Sequence, residues 1–489
     1  MLFNSHIFIL LFLPLLLAGW YFLNWKKKFQ LAQGYLIGMS LWFYAYANLQ
    51  YLWLLLFSCL IGWLLSCLPE KIFSKKGKKV LTGVGCVFHL GLLGYFKYSN
   101  FLLENLNTVF HTDFPMLQIL LPVGISFYTF QQLAYLIDRC RGDAPRDSFF
   151  DYLTFMVYFP QLLQGPILLR SEFMGQLKEP ERRRFHAERF SEGIQFFVFG
   201  LAKKVLLADT LAKAVNYGYS NVSMLDSISA LLLAVGYLTE LYFDFSGYCD
   251  MAVGLGKMIG LEVAENFDAP FHSASVKEFW RRWHMTLGRF FTRYVYIPLG
   301  GNRKGKMRTL CNVMIVMLFS GLWHGAAWTF VLWGFLHGVG MVWDNLEHPH
   351  LPKKWMRQAA TFAYVCMTFV FFRAESIAQG VDVLKSIVSL KWNGFVFQMA
   401  SALDMTECYM ITKALSMKLP GLLSWFWLGI FVVLIAICFR VLSGEKVSGV
   451  VALQRQKGYG RLYPVLLAVL FTWSMISMTG VSEYLYFSF

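Results

Sequence analysis

Two adjoining segments carry the residues best suited to chemistry. A basic, aromatic stretch beginning at Lys277, KEFWRRWHMTLGRFFTRYVYIPLGGNRKGK, leads into an apolar one ending at Gly338, GLWHGAAWTFVLWGFLHG. This pattern places His284 in a cationic surface and His324 inside hydrocarbon. A titratable ring is costly at that depth and is a functional feature by default. The cationic surface beside it suits an anionic reactant. GGNRKGK at 300–306, with Arg281, Arg282 and Arg289, is able to draw a polyphosphate through cations and backbone amides, although the same residues also serve as an ordinary positive-inside loop. Gly321, Gly325, Ala326 and Ala327 surround His324 with small side chains. These permit close helix packing or leave room for a substrate, and only the second makes the ring reactive. His89 and His337, also in apolar segments, read as core histidines bonded to backbone carbonyls.

The elements that position these residues are membrane helices. Of the 489 residues, 57% are apolar and only 15% charged, and apolar runs recur between short polar loops. Each run is long enough to cross ~30 Å of hydrocarbon. Spans are expected at 5–23, 31–47, 51–68, 80–98, 119–137, 191–209, 226–245, 310–345 (one or two), 358–372, 423–440 and 463–480, about ten to twelve in all. Lipid demands internally satisfied backbone, and no alternating barrel pattern occurs, so these are helices. Pro160 and Gly165-Pro166 interrupt 152–169, which reads as re-entrant. No repeat, low-complexity tract or separate soluble domain is visible, so residues 1–489 read as one domain, with N-terminal helices (1–118), a core (119–345) and C-terminal helices (355–489).

The net charge of +15 is dispersed over loops, which reports topology rather than nucleic-acid binding. Lys26–Lys28, Lys75–Lys79, Arg139–Arg146, Arg170–Arg184, Lys353–Arg357 and Arg455–Arg461 belong on the cytoplasmic side. Asn48–Gln50 and Asn100–Pro115 then face outward. With no Lys or Arg before Lys26, the first span reads as uncleaved, with its N-terminus outside. Nine cysteines without CxxC spacing indicate neither a disulfide framework nor a metal site. Four charges within apolar stretches need partners or water. Asp244 is expected to pair with an arginine, to cap a helix restarting at Ser246, or to line a tunnel and orient a histidine. Arg373 is expected to snorkel to the cytoplasmic edge; Glu240 and Asp250 are the other two. HExxH, GxSxG, Walker A and a Rossmann fingerprint are all absent from the sequence.

LPVGISFYTFQ (121–131), FPQLLQGPILLRSEF (159–173), FDFSGYCDMAVGLGKMIG (243–260), PFHSASVKEFWRRWHMTLGRFF (270–291), YIPLGGNRKG (296–305), GLWHGAAWTFVLWGFLHG (321–338) and VFFRAES (370–376) run in this order, between MLFNSHIFILLFLPLLL at the start and SEYLYFSF at 482–489. In these segments the chain resembles the membrane-bound O-acyltransferases, in particular the bacterial branch that O-acetylates alginate and cell-wall polysaccharides. The resemblance implies an all-α, multi-span bundle with a central tunnel and re-entrant segments in the plasma membrane. It implies transfer of an acyl group, acetyl in this branch, from a cytoplasmic thioester to a hydroxyl on the other face. His324 would be the general base and His284 a second catalytic histidine that orients the donor.

Acetyl coenzyme A, or another acyl thioester such as an acyl carrier, would be the donor substrate, with no tightly bound cofactor. Arg281, Arg282, Asn302, Arg303 and Lys304 would bind it, and Asp244, Trp323 and Gln164 would line or orient the tunnel. Besides membrane lipids, the partners would be an extracytoplasmic polysaccharide or a partner acetyltransferase that completes polymer O-acetylation. Two departures stand out: Thr292-Arg293 replaces a common Arg-Asp pair, and Gln164 replaces a small residue before Gly165-Pro166, which implies a different tunnel shape. D-alanyl transfer to teichoic acid and a non-enzymatic polysaccharide exporter are the alternatives.

Overall fold

The structure, a computed structural model, describes residues 1–47, 49–67, 75–346, 353–442, 446–458, 460, 462–478 and 484–485. His348, His350 and all of SEYLYFSF except Tyr484 and Leu485 lie outside them. Most of the described residues are helical, and they contain no strand. Five helical stretches among them are long and apolar enough to cross a membrane: Phe8–Trp25, Leu49–Cys67, Lys76–Phe110, Ser227–Ile259 and Pro420–Leu442. Shorter or more polar helices occupy the other expected spans.

Three expectations are corrected. Residues 119–124 are not helical; helix Ile125–Arg141 starts after Gly124, whose φ of 79° is left-handed. Residues 99–110 are helical rather than loop, because helix Lys75–Leu93 continues through a π turn into Ser99–Phe110. The expected 226–245 span runs without a break to Ile259, so no helix restarts at Ser246.

The chain divides into two compact units. The first holds 1–198, 248–265 and 286–298. Within it the interrupted segment forms two helices, Phe149–Val157 and Phe159–Leu162, and then runs extended to Leu169. Gly165 is required there, since a Cβ would overlap the Pro160 carbonyl. Arg289 closes the segment by donating from Nη2 to Ile167 O and Glu172 Oε2, each at 3.0 Å.

The second unit holds 199–247, 266–285 and 299–489 and contains both marked histidines. Its site is carried by helices labelled here in chain order: α1 (Asp209–Ser220), α2 (Ser227–Ile259, whose last residues belong to the first unit), α3 (Val276–Arg282), α4 (Lys306–His324), α5 (Trp328–Asn345) and α6 (Lys354–Arg373). Helices α4 and α5 form a hairpin over Gly325-Ala326-Ala327. The small residues bring them together: a Cβ on Gly321 would overlap the Phe330 carbonyl, and one on Gly334 would lie 2.5 Å from Met317 O. Of the two uses open to small residues around His324, close packing is therefore the one observed at Gly321.

Candidate active site

His324 is the last residue of α4, and its side chain is 4% exposed. Three aromatic rings box it. The imidazole centroid lies 4.9 Å from Trp323, 5.1 Å from Trp333 and 5.2 Å from Phe372, all edge-on. Phe330 in turn meets Phe372 at 4.9 Å. Helix α6 delivers Phe372 because it ends at Arg373, and α5 delivers Phe330 and Trp333 from its first turns.

Behind Phe330 and Phe372 lies a polar cavity of about 690 Å³. Its charged lining comprises Lys204, Asp209, Glu240, Asp244, Arg373 and Glu375, and Phe330 and Phe372 form part of the same wall. Lys204 sits in a π turn, Lys203–Ala208, which leads into α1. Such bulges re-aim a side chain within a helix and are frequent at functional sites. Its Nζ reaches Asp244 Oδ1 at 2.6 Å and Asp209 Oδ1 at 2.7 Å. The pairing is needed, since an isolated ion at this depth would be strongly penalised. Asp244 Oδ2 accepts the Leu485 N–H at 3.0 Å, and Lys204 lies 4.6 Å from the Tyr484 ring centroid.

These contacts correct two expectations. Asp244 pairs with a lysine, not an arginine, and its oxygens serve Lys204 and Leu485 rather than a histidine. Arg373 does not share an end with the Lys353–Arg357 cluster. The 20 residues of α6 separate the two by roughly 30 Å, and Arg373 Nη2 donates to Asn216 Oδ1 at 2.9 Å beside the cavity.

His284 was expected in a cationic surface but is 1% exposed. Its φ of 46° is left-handed, a conformation in which histidine is several-fold enriched among non-glycine residues. It turns the ring inward between α3 and Met285. Nδ1 faces Asn266 Oδ1 at 3.2 Å; the amide oxygen only accepts, so Nδ1 carries the proton and Nε2 keeps a lone pair. Phe245 and Trp323 pack on the ring at 4.8 and 6.2 Å. Trp323 therefore touches both histidines. Burial pushes the His284 imidazole down to about 3, which keeps it neutral.

His337 is fully buried and satisfied, as expected, but by side chains. The Trp280 indole donates to Nδ1 at 3.2 Å, so Nε2 bears the proton and donates to Thr368 Oγ1 at 2.9 Å. His89 likewise meets Ser58 Oγ, at 3.3 Å, rather than a carbonyl.

The expected donor residues divide. Arg281, Asn302, Arg303 and Lys304 are exposed. Arg282 is committed to Glu278, with Nη2 3.0 Å from Oε1. The glycine turn is built as its sequence implies, with Gly300, Gly301 and Gly305 at φ 107°, 55° and 86°. Asn312 Nδ2 ties it to α4 through Gly301 O at 2.9 Å. Gln164 lies in the first unit, fully buried. Lys204, Phe330 and Phe372 escaped the sequence reading. A lysine within the 191–209 apolar run was the available signal for the first; nothing in the sequence marks the two phenylalanines apart from many others.

Comparison with known proteins agrees with this architecture. The family model for MBOAT, the membrane-bound O-acyltransferase family, matches residues 145–380. The chain is 35% identical over 423 residues to the peptidoglycan O-acetyltransferase of Helicobacter pylori, covering 80% of each. It is 39% identical over 393 residues to the probable alginate O-acetylase AlgI of Pseudomonas putida, covering 77% of this chain and 78% of that one. A teichoic acid D-alanyltransferase of Bacillus subtilis is 28% identical over 271 residues, 52% of this chain and 69% of that one. The chain belongs to the membrane-bound O-acyltransferase family. It is a multi-pass membrane enzyme, an O-acyltransferase.

Proposed function

We propose that this enzyme moves an acetyl group from a cytoplasmic thioester, acetyl coenzyme A, to a hydroxyl of an extracytoplasmic polysaccharide or of a partner protein that completes polymer O-acetylation. The single observation that carries the assignment of His324 is its position at the end of α4, boxed by aromatic rings beside a charged cavity. The named activities of the peptidoglycan and alginate relatives support acetyl as the group and a surface polymer as the destination.

The chemistry requires a neutral imidazole. As the acceptor oxygen attacks the thioester carbonyl, His324 takes the hydroxyl proton. Collapse of the tetrahedral intermediate breaks the C–S bond, and the imidazolium returns that proton to the leaving thiolate. Arg281, Arg303 and Lys304, exposed and cationic, are suited to the donor's phosphates, and the Gly300-Gly301 turn leaves backbone amides able to approach them. Arg282 contributes less, since Glu278 already holds it. His284, neutral and fixed by Asn266, supports the site through Trp323. Asp244 shapes the cavity through Lys204. The N-terminus faces outward on this reading, because Lys26–Lys28 lie beyond the far end of the first span.

The test uses membranes containing the full chain, labelled acetyl coenzyme A, and isolated surface polymer with and without the cell's extracytoplasmic proteins. Label should reach acceptor with wild type and not with His324→Ala; equal labelling would overturn the assignment. D-alanyl transfer, favoured only by the partial likeness to the D-alanyltransferases, predicts label from an alanyl carrier protein instead.

A further inference from the structure

We propose that Phe372, with Phe330, is a movable partition between the polar cavity and His324, and that it makes the enzyme a transferase rather than a thioesterase. The inference rests on the acyl-transfer reading above and assigns a specificity role to residues that reading does not use.

Phe372 faces two ways, and Phe330 braces it. Phe372 packs 5.2 Å from the His324 ring on one side and forms cavity wall on the other. Phe330 lines the same wall and meets Phe372 at 82°, so the pair forms a corner rather than a slot. The cavity itself suits water and polar acceptors. Six ionisable side chains line it, and four of them are carboxylates. Glu240, 2% exposed, has one oxygen with no hydrogen-bond partner among the described residues. A wetted cavity beside a general base is a hazard for an enzyme that holds a thioester.

Water and an acceptor hydroxyl undergo the same reaction. With a hydroxyl, an O–C bond forms, the C–S bond breaks, and the proton passes through His324 to the thiolate. With water, the same steps yield acetate and free thiol. Excluding water until the acceptor is in place is a recognised means of suppressing such hydrolysis. Phe372 is placed for this, because the neighbouring Arg373 anchors its backbone at the cavity rim through Asn216 while its own ring stays apolar. An acceptor filling the cavity displaces the rings and takes the water's place. Carboxylates outnumber cations in the cavity lining by four to two. The entering acceptor group is therefore an uncharged hydroxyl rather than one flanked by carboxylates.

The experiment measures two rates on purified full-length enzyme in lipid nanodiscs: thiol release from acetyl coenzyme A without acceptor, and label transfer with surface polymer plus the extracytoplasmic protein fraction. Phe372→Ala should raise acceptor-free release about fivefold or more and lower the ratio of transfer to hydrolysis by at least as much. Phe372→Leu should restore most of that ratio. Gly325→Ala provides an independent route, because its Cβ would overlap the Phe330 ring and push it aside; it should shift the ratio in the same direction. His324→Ala added to Phe372→Ala should abolish the extra release, since the water reaction uses the same base.

A folded Phe372→Ala enzyme, judged by elution and melting, with wild-type release overturns the partition. Should that variant not fold, an unchanged ratio in both Phe372→Leu and Gly325→Ala overturns it. If His324→Ala alone keeps full transfer, the acyl-transfer assignment fails instead, which is a different result from loss of the partition.

Discussion

His324 and His337 lie one hairpin apart, on α4 and α5, and both are buried, yet they have opposite surroundings. His337 is held at both nitrogens, by Trp280 and Thr368, and Thr368 passes its own proton to Val365 O at 2.8 Å. Every proton in that chain has a fixed donor and acceptor, so the ring works as a structural strut. His324 packs against Trp323, Trp333 and Phe372, and Phe372 also lines the charged cavity. Burial alone therefore does not distinguish the two rings. The proposed base differs from the strut in what lies next to it, since a single phenylalanine ring separates His324 from a charged cavity.

The sharpest break of this comparison is the exchange of catalytic loss. His324→Ala should reduce transfer by about 10²–10⁴-fold in the enzyme that remains folded, the usual contribution of a positioned general base. His337→Ala should do the reverse, keeping kcat within an order of magnitude while destabilising the fold by about 1–3 kcal/mol for each buried partner left unsatisfied. Parallel turnover and melting curves would decide it, and equal activity losses would erase the distinction.

A second effect concerns the cavity wall. Lys204→Met leaves Asp244 and Asp209 without their shared cation, and removing one partner of a buried pair costs about 3–5 kcal/mol. Chemical denaturation in detergent should show a loss of that order, and Lys204→Met with Asp244→Leu should recover part of it.

His284 provides a pH signature. Its folded value is depressed from 6.5 to about 3 by burial. The neutral ring's contribution is therefore complete above about pH 6.5. Below that the unfolded chain binds a proton that the folded chain refuses, and stability falls by about 1.4 kcal/mol per pH unit. Melting between pH 6.5 and 4 should show a shallower slope in His284→Asn than in wild type.

The hairpin itself gives a smaller effect. Gly321→Ala forces a Cβ against the Phe330 carbonyl and should cost about 1–3 kcal/mol, read as a lower melting temperature. The smallest effect belongs to the basic turn. Arg303→Ala and Lys304→Ala, exposed and replaceable, should each raise the donor KM a few-fold, with the effect fading at high salt as screened surface charges do.

Much of this molecule is legible in its sequence. Hydropathy located the helices because hydrocarbon leaves the backbone no other solution, and the interrupted 152–169 segment was visible in its prolines and glycines. The sequence also offers His324 as a candidate, through its place among small and aromatic neighbours and through the family resemblance. It did not show where 119–124 leaves the helix, because Pro122 and Gly124 act through local geometry that hydropathy averages away.

Residue pairing across the chain was decided by tertiary structure alone. That His284 is buried, that Asp244 answers Lys204 at a separation of 40 residues and Leu485 at 241, and that Arg373 lies at the cavity end of α6 are facts about which helices meet. A one-dimensional pattern records how apolar a face is, but not which charge on another helix will neutralise it. Phe330 and Phe372 show the same limit. Their types say only that they are buried; the corner they form, with Phe372 between His324 and the charged cavity, exists only once α5 and α6 are packed.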